Sequence, residues 1–81
     1  MQIVVLAFAA ARDALKAARL DVELPVGATA GGALELLAER HPALRALVPT
    51  LRFAVDEEFA TASTPLHAGA TLALLPPVTG G

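Results

Sequence analysis

The stretch "IVVLAF" at Ile3–Phe8 alternates two sets of side chains, Ile3, Val5 and Ala7 against Val4, Leu6 and Phe8, and both sets are apolar. A strand places one set on each side of its sheet, so this one needs cover on both sides. The chain has 81 residues, a size at which folding buries only about 60% of the unfolded surface. One helix of its own supplies one cover; a partner is the candidate for the other.

The rest of the chain supplies that helix and the remaining strands. "AAARDALKAAR" is alanine-rich and predicts a short helical turn before Leu20, Val22 and Leu24, whose alternation with Asp21 and Glu23 reads as a half-exposed strand. After the turn "PVG", Thr29 is placed to cap a helix running to about His41. In that segment Leu34, Leu37 and Ala38 share one face, Glu35 and Glu39 lie on the other, and Pro42 stops the helix. Gly31 and Gly32 weaken its first turn. A second short turn, "ALRAL", precedes Pro49; "LRFAV" and "EFATA" then flank the acidic "DEE" as a hairpin, and "ATLALL" runs as a last strand into Pro76. Strand, strand, helix and three short strands predict an α+β chain in which a mixed sheet of about five strands packs on one main helix. That is the β-grasp, or ubiquitin-like, pattern. Its expected extent is residues 1–75, with 76–81 as an extended, flexible Gly-Gly tail.

Several function classes are excluded by residue type. "GATAGGA" spaces Gly27 and Gly32 like a phosphate loop, but Ala33 and Leu34 occupy the places of the lysine and hydroxyl that such a loop needs. The absence of cysteine removes disulfides, thiolate metal sites and an internal sulfur donor. His41 and His67 have no close histidine partner, so no metal site is expected. Asp56, Glu57 and Glu58 read as a solvated hairpin tip rather than paired catalytic carboxylates. Ser63 is the only serine and stands in "TAST", which excludes the Asp-Ser-Leu setting of a phosphopantetheine carrier. The formal charge is −2, with Arg12, Lys16 and Arg19 the only clustered bases, so neither nucleic acid nor a membrane surface is an expected partner. "MQIVVLAFAAA" looks like a signal-peptide core, but no basic residue precedes it and its β-branched run reads as a strand. The expected location is the cytoplasm. Apolar residues make up 56% of the chain with a mean hydropathy of +0.62; two readings stay open, apolar surface kept for a partner or inflation by 19 alanines.

The remaining feature is the ending, "LLPPVTGG". Pro76 and Pro77 favour an extended root rising about 3.1 Å per residue, and residues 76–81 span roughly 20 Å. Gly80 lets the backbone pass a slot too narrow for any Cβ, and Gly81 places no side chain beside its carboxylate. Ordering six such residues costs about 6–12 kcal/mol at about 1–2 each, which backbone hydrogen bonds at about 1 kcal/mol net scarcely offset. A docking face must supply the difference. Phe8, Phe59 and Leu75 are its candidates, each contributing about 1.5–3 kcal/mol on burial. Strand parity alone leaves Phe8 and Phe59 open between core and interface.

Three segments, "FAAARD" at Phe8–Asp13, "AVDEEF" at Ala54–Phe59 and "PLHAGATLALLPPVTGG" from Pro65 onward, resemble the MoaD branch of the ubiquitin-like sulfur carriers, the small subunits of molybdopterin synthase. "PPVTGG" is the specific part. Asp56 stands where that family usually has asparagine, Asp13 where glutamate is common, and Leu74 and Leu75 where aromatics are frequent. The resemblance implies that an E1-like enzyme adenylates the Gly81 carboxylate with ATP and magnesium, neither bound by this chain, and that a persulfide donor converts it to a thiocarboxylate. The large synthase subunit then receives the threaded tail, Pro76, Pro77, Val78, Thr79 and Gly80, and holds the acid-base residues that move sulfur to a cyclic pyranopterin. Alternatives are sulfur delivery to thiamin or tRNA, and a ubiquitin-like modifier or binding module.

Overall fold

Gln2–Ala7 forms the first strand, β1, and it lies inside the sheet as its two-sided apolar pattern requires. The computed structural model describes residues 1–77. β1 pairs antiparallel with β2 (Arg19–Glu23) on one side and parallel with β5 (Thr71–Leu75) on the other. β5 pairs antiparallel with β3 (Arg52–Val55), and β3 with the edge strand β4 (Glu58–Ala60), giving the order β2-β1-β5-β3-β4. This is the expected five-stranded mixed sheet of the β-grasp.

The connection from β2 to β3 carries the main helix, α2 (Ala30–Arg40), after the short α1 (Ala9–Leu15) between β1 and β2. The Thr29 Oγ1 accepts from the Gly32 N–H at 3.1 Å, the cap expected from its residue type, in extended backbone. α2 buries Ala30, Ala33, Leu34, Leu37 and Ala38, and the first four share one core cluster with Ile3, Val5, Leu72 and Leu74 of the two central strands. Pro42 ends α2 and opens a single further turn, α3 (Pro42–Arg45), which contributes the fully buried Leu44. Leu34, Leu37, Leu44, Leu72 and Leu74 are each at most 2% exposed. No polar or charged residue is buried among the described residues.

"EFATA" is strand only as far as Ala60. The Thr61 N–H donates to the Thr64 Oγ1 at 3.0 Å and the Thr64 N–H returns to the Thr61 carbonyl at 3.1 Å. A local turn therefore takes over from the ladder.

That turn explains Gly31. Its N–H donates to the Ala62 carbonyl at 2.8 Å. A Cβ at position 31 would lie 2.9 Å from the Ala62 Cβ and 3.0 Å from its carbonyl oxygen. Gly31→Ala is expected to lower stability by about 1–3 kcal/mol, as overpacking does. At Gly32 the nearest atom to such a Cβ is the Thr29 Oγ1 at 3.5 Å, an ordinary contact, so Gly32→Ala is expected to be neutral or stabilising by up to about 1 kcal/mol. Urea titration of both variants checks the pair; equal effects would show that close approach to Ala62 is not what position 31 requires.

Candidate functional site

Pairing settles the parity that the sequence leaves open. Ile3, Val5 and Ala7 point into the core, so Val4 and Leu6 take the face of the sheet away from α2, and Phe8 continues their set. The Phe8 N–H donates to the Leu74 carbonyl at 3.2 Å, which carries the β1–β5 ladder one residue past the strand. On the same face Leu6 pairs with Ala73, Ala73 with Ala54, and Ala54 with Phe59. The phenyl group of Phe59 stands at the β4 edge, 77% exposed, and Phe8 is 46% exposed. Leu75 is half-buried on this face, paired with Arg52. The three apolar residues singled out for docking thus lie on one side of the sheet.

Between them the floor is shallow. Ala54 and Ala73 are small, while Leu6, Phe8 and Leu75 rise around them, leaving a depression of about 520 Å³. The sequence reading missed Leu6, Ala54 and Ala73 as members of this surface. The period of two was available to find them, because Leu6 is two residues from Phe8 and Ala73 two from Leu75. Pro76 and Pro77 follow Leu75 directly and are exposed, so the root of the tail leaves from the edge of the depression. Val78, Thr79, Gly80 and Gly81, the other tail residues singled out, lie outside the described residues.

One rim of the depression is built from the hairpin tip. Asp56 and Glu57 both have positive φ, 50° and 71°, the left-handed pair that a two-residue β3–β4 turn demands. The Asp56 N–H donates to the Thr71 carbonyl and the Thr71 N–H returns to Asp56 Oδ1, each at 2.9 Å. Asp56 Oδ2 meets His67 Nε2 at 2.5 Å, and His67 Nδ1 lies 2.9 Å from the Ala68 carbonyl. Two acceptors on one imidazole favour the doubly protonated ring. The tip is therefore tied to the start of β5, where the sequence suggested only a solvated turn and linked His67 to nothing. The pairing of β3 with β5 brings the two residues together, and no local signal shows it.

The pair has a stated pH dependence. The Thr71 N–H first, then His67, hold the Asp56 carboxyl below its usual range, and the Asp56 carboxylate first, then the Ala68 carbonyl, raise the His67 imidazole above 6.5. The stability from His67 is full below 6.5 and is lost as pH rises through its raised value; that from Asp56 is full above the ordinary carboxyl value of 3.8 and is lost as pH falls through its lowered one. Both are present between 3.8 and 6.5. NMR titration is expected to place His67 above the ordinary imidazole midpoint and to return it toward that midpoint in Asp56→Asn. An unshifted His67 in the unmodified chain would remove the link.

Among the described residues no group of three or more His, Asp or Glu side chains is placed to hold a metal ion. No helix among them is long and apolar enough to cross a membrane. The face offers an apolar surface with a tail at its edge, and protein docking is the chemistry it suits. A family profile, the ThiS family, matches residues 5–81. The chain belongs to the ThiS family. Its likeness to one relative spans its whole length: it is 32% identical over 81 residues to the molybdopterin synthase sulfur carrier subunit of Arabidopsis thaliana, covering 100% of this chain and 84% of that protein. Among solved structures, SAMP1 of Haloferax volcanii superposes with a TM-score of 0.87 at 29% identity, with both chains covered completely. A complex of subunits 1 and 2 of the molybdopterin-converting factor of Helicobacter pylori contains a chain that superposes at 0.69 with 22% identity, again over 100% of both. The match to the ThiS family runs from Val5 through the β-grasp body and over the terminal "PPVTGG".

Proposed function

We propose that this chain is the sulfur carrier of a molybdopterin synthase and that its reagent is the Gly81 carboxylate. The likeness over the full length to a sulfur carrier subunit carries this reading. The structure supports it with an exposed apolar face at the edge of which Pro76 and Pro77 begin the tail.

The chemistry follows from leaving groups. The α-carboxyl group is ionised at neutral pH, its reference pKa being about 3.3–3.7. Oxide does not leave from a carboxylate. A carboxylate oxygen therefore attacks the α-phosphorus of ATP in an E1-like enzyme, releasing pyrophosphate, and AMP becomes the leaving group. The terminal sulfur of a persulfide then attacks the acyl carbon, AMP departs with the electron pair, and a thiol cleaves the resulting acyl disulfide to free the thiocarboxylate. The large synthase subunit receives the tail and supplies the groups that pass sulfur to a cyclic pyranopterin; the Helicobacter pylori complex of two subunits supports such a partner. Docking of the open face positions the tail, and Phe8, Phe59 and Leu75 are its apolar contacts, with Pro76, Pro77, Val78, Thr79 and Gly80 threading into the slot. Mass spectrometry after incubation with activating enzyme, ATP and a persulfide donor should show one oxygen replaced by sulfur at Gly81. An unmodified carboxylate in that complete system overturns the reading.

The likeness to SAMP1, a small archaeal modifier, favours a second reading, in which the activated Gly81 carbonyl is transferred to an amine of another protein. The same incubation separates the two, because a modifier accumulates as amide-linked adducts rather than as free thiocarboxylate.

A further inference from the structure

Charged side chains stand at fixed register positions along the open face, and one of them lies at the root of the tail. In the register of the sheet Arg52 stands beside Leu75, at the end where the tail begins. One step in, Arg19 stands beside Leu6, and the next step holds Asp21 beside Val4 and Asp56 beside Thr71, with Glu23 beside Gln2 beyond them. At about 3.3–3.4 Å per residue, Arg52 and Asp56 are roughly 13 Å apart on β3. Arg52 and Arg19 stand toward the tail end, while at the far end Asp56 is paired with His67 and Glu23 with the N-terminal ammonium, 3.2 Å away. Arg19 is neutralised locally by Asp21, 3.6 Å away, and Arg45, elsewhere on the molecule, by Glu35 at 3.0 Å. Arg52 makes no ion pair among the described residues.

Apolar burial is non-directional, so the depression alone does not choose between two orientations of a docked protein. A charge at the root of the tail does. When the face around Leu75 is covered, the Arg52 guanidinium loses water, and an unpaired cation held out of water is costly. The covering surface must return an anion there. We propose that Arg52 is the residue that orients docking, and that the protein receiving the tail carries an Asp or Glu at the lip of the slot, opposite Arg52. This rests on the reading of the chain as a carrier that threads its tail into the large synthase subunit. The pair sets the direction in which Pro76 and Pro77 enter and speeds encounter.

The test measures association of the full chain with the large subunit from the same organism, at low and high salt. Arg52→Glu is expected to slow association roughly tenfold at low salt, with the difference collapsing at high salt, as long-range steering does. Arg52→Gln falls between, and Arg52→Lys keeps most of the rate. Because Arg52 is exposed, unchanged circular dichroism melts are expected for all three. Zero-length carbodiimide coupling of the Arg52→Lys complex is expected to join position 52 to an Asp or Glu of the large subunit, located by mass spectrometry. Binding of the wild-type chain with equal association rates across the series, or coupling at Lys16 alone, overturns the assignment to Arg52 and leaves the carrier reading standing. Failure of the wild-type chain to bind the large subunit overturns both.

Discussion

Deleting Gly80 and Gly81 is expected, on the carrier function proposed above, to abolish thiocarboxylate formation and sulfur transfer while leaving the folded body unchanged. Without Gly81 the reacting carboxylate belongs to a residue bearing a side chain and sits about 7 Å short of its place, at up to about 3.6 Å per residue. A reacting group misplaced by even 1 Å loses about 100-fold, so a displacement several times larger removes detectable activity. Among the described residues the last fully buried side chain is Leu74, well before Gly80 in the chain. Product analysis by mass spectrometry together with a thermal melt checks both halves. Residual sulfur transfer by the shortened chain would remove the terminal carboxylate from the mechanism.

Leu74→Ala is expected to have the largest effect on stability. Leu74 is fully buried in β5, which lies between β1 and β3. Truncating such a residue costs about 2–5 kcal/mol, against a total of about 4–12 kcal/mol for a chain of this size at about 0.05–0.15 per residue. Leu75→Ala serves as the comparison, because the adjacent side chain faces the other side of the sheet and is only half-buried. Urea unfolding should show a loss for Leu74→Ala at least twice that for Leu75→Ala. Equal losses would mean that the two faces of β5 are not energetically distinct.

The period of two in Ile3–Phe8, the Thr29 cap and the Pro42 stop each act over a few residues, and from them the sheet, the helix and its boundaries were legible. The terminal "PPVTGG" is equally local, and the family match extends over it. What depends on strand register was not. Whether Phe8 and Phe59 face the core follows from pairings with Leu74 and Ala54, and a single-residue slip reverses the answer. The Asp56–His67 contact needs β3 beside β5, the crossing of Gly31 past Ala62 needs the turn at Thr61–Thr64, and the place of Arg52 beside Leu75 needs the β3–β5 register. No local pattern encodes them.

The parallel pairing of β1 with β5 bears on how the molecule is made. Among the described residues the strand that completes the middle of the sheet is also the last in chain order, and until it arrives β1 and β3 have no common neighbour. A nascent chain halted before Thr71 would lack the buried Leu72 and Leu74 and expose the unsatisfied edges of β1 and β3, a state prone to wrong association. Cooperative folding is thereby postponed until β5 is available to pair with both β1 and β3.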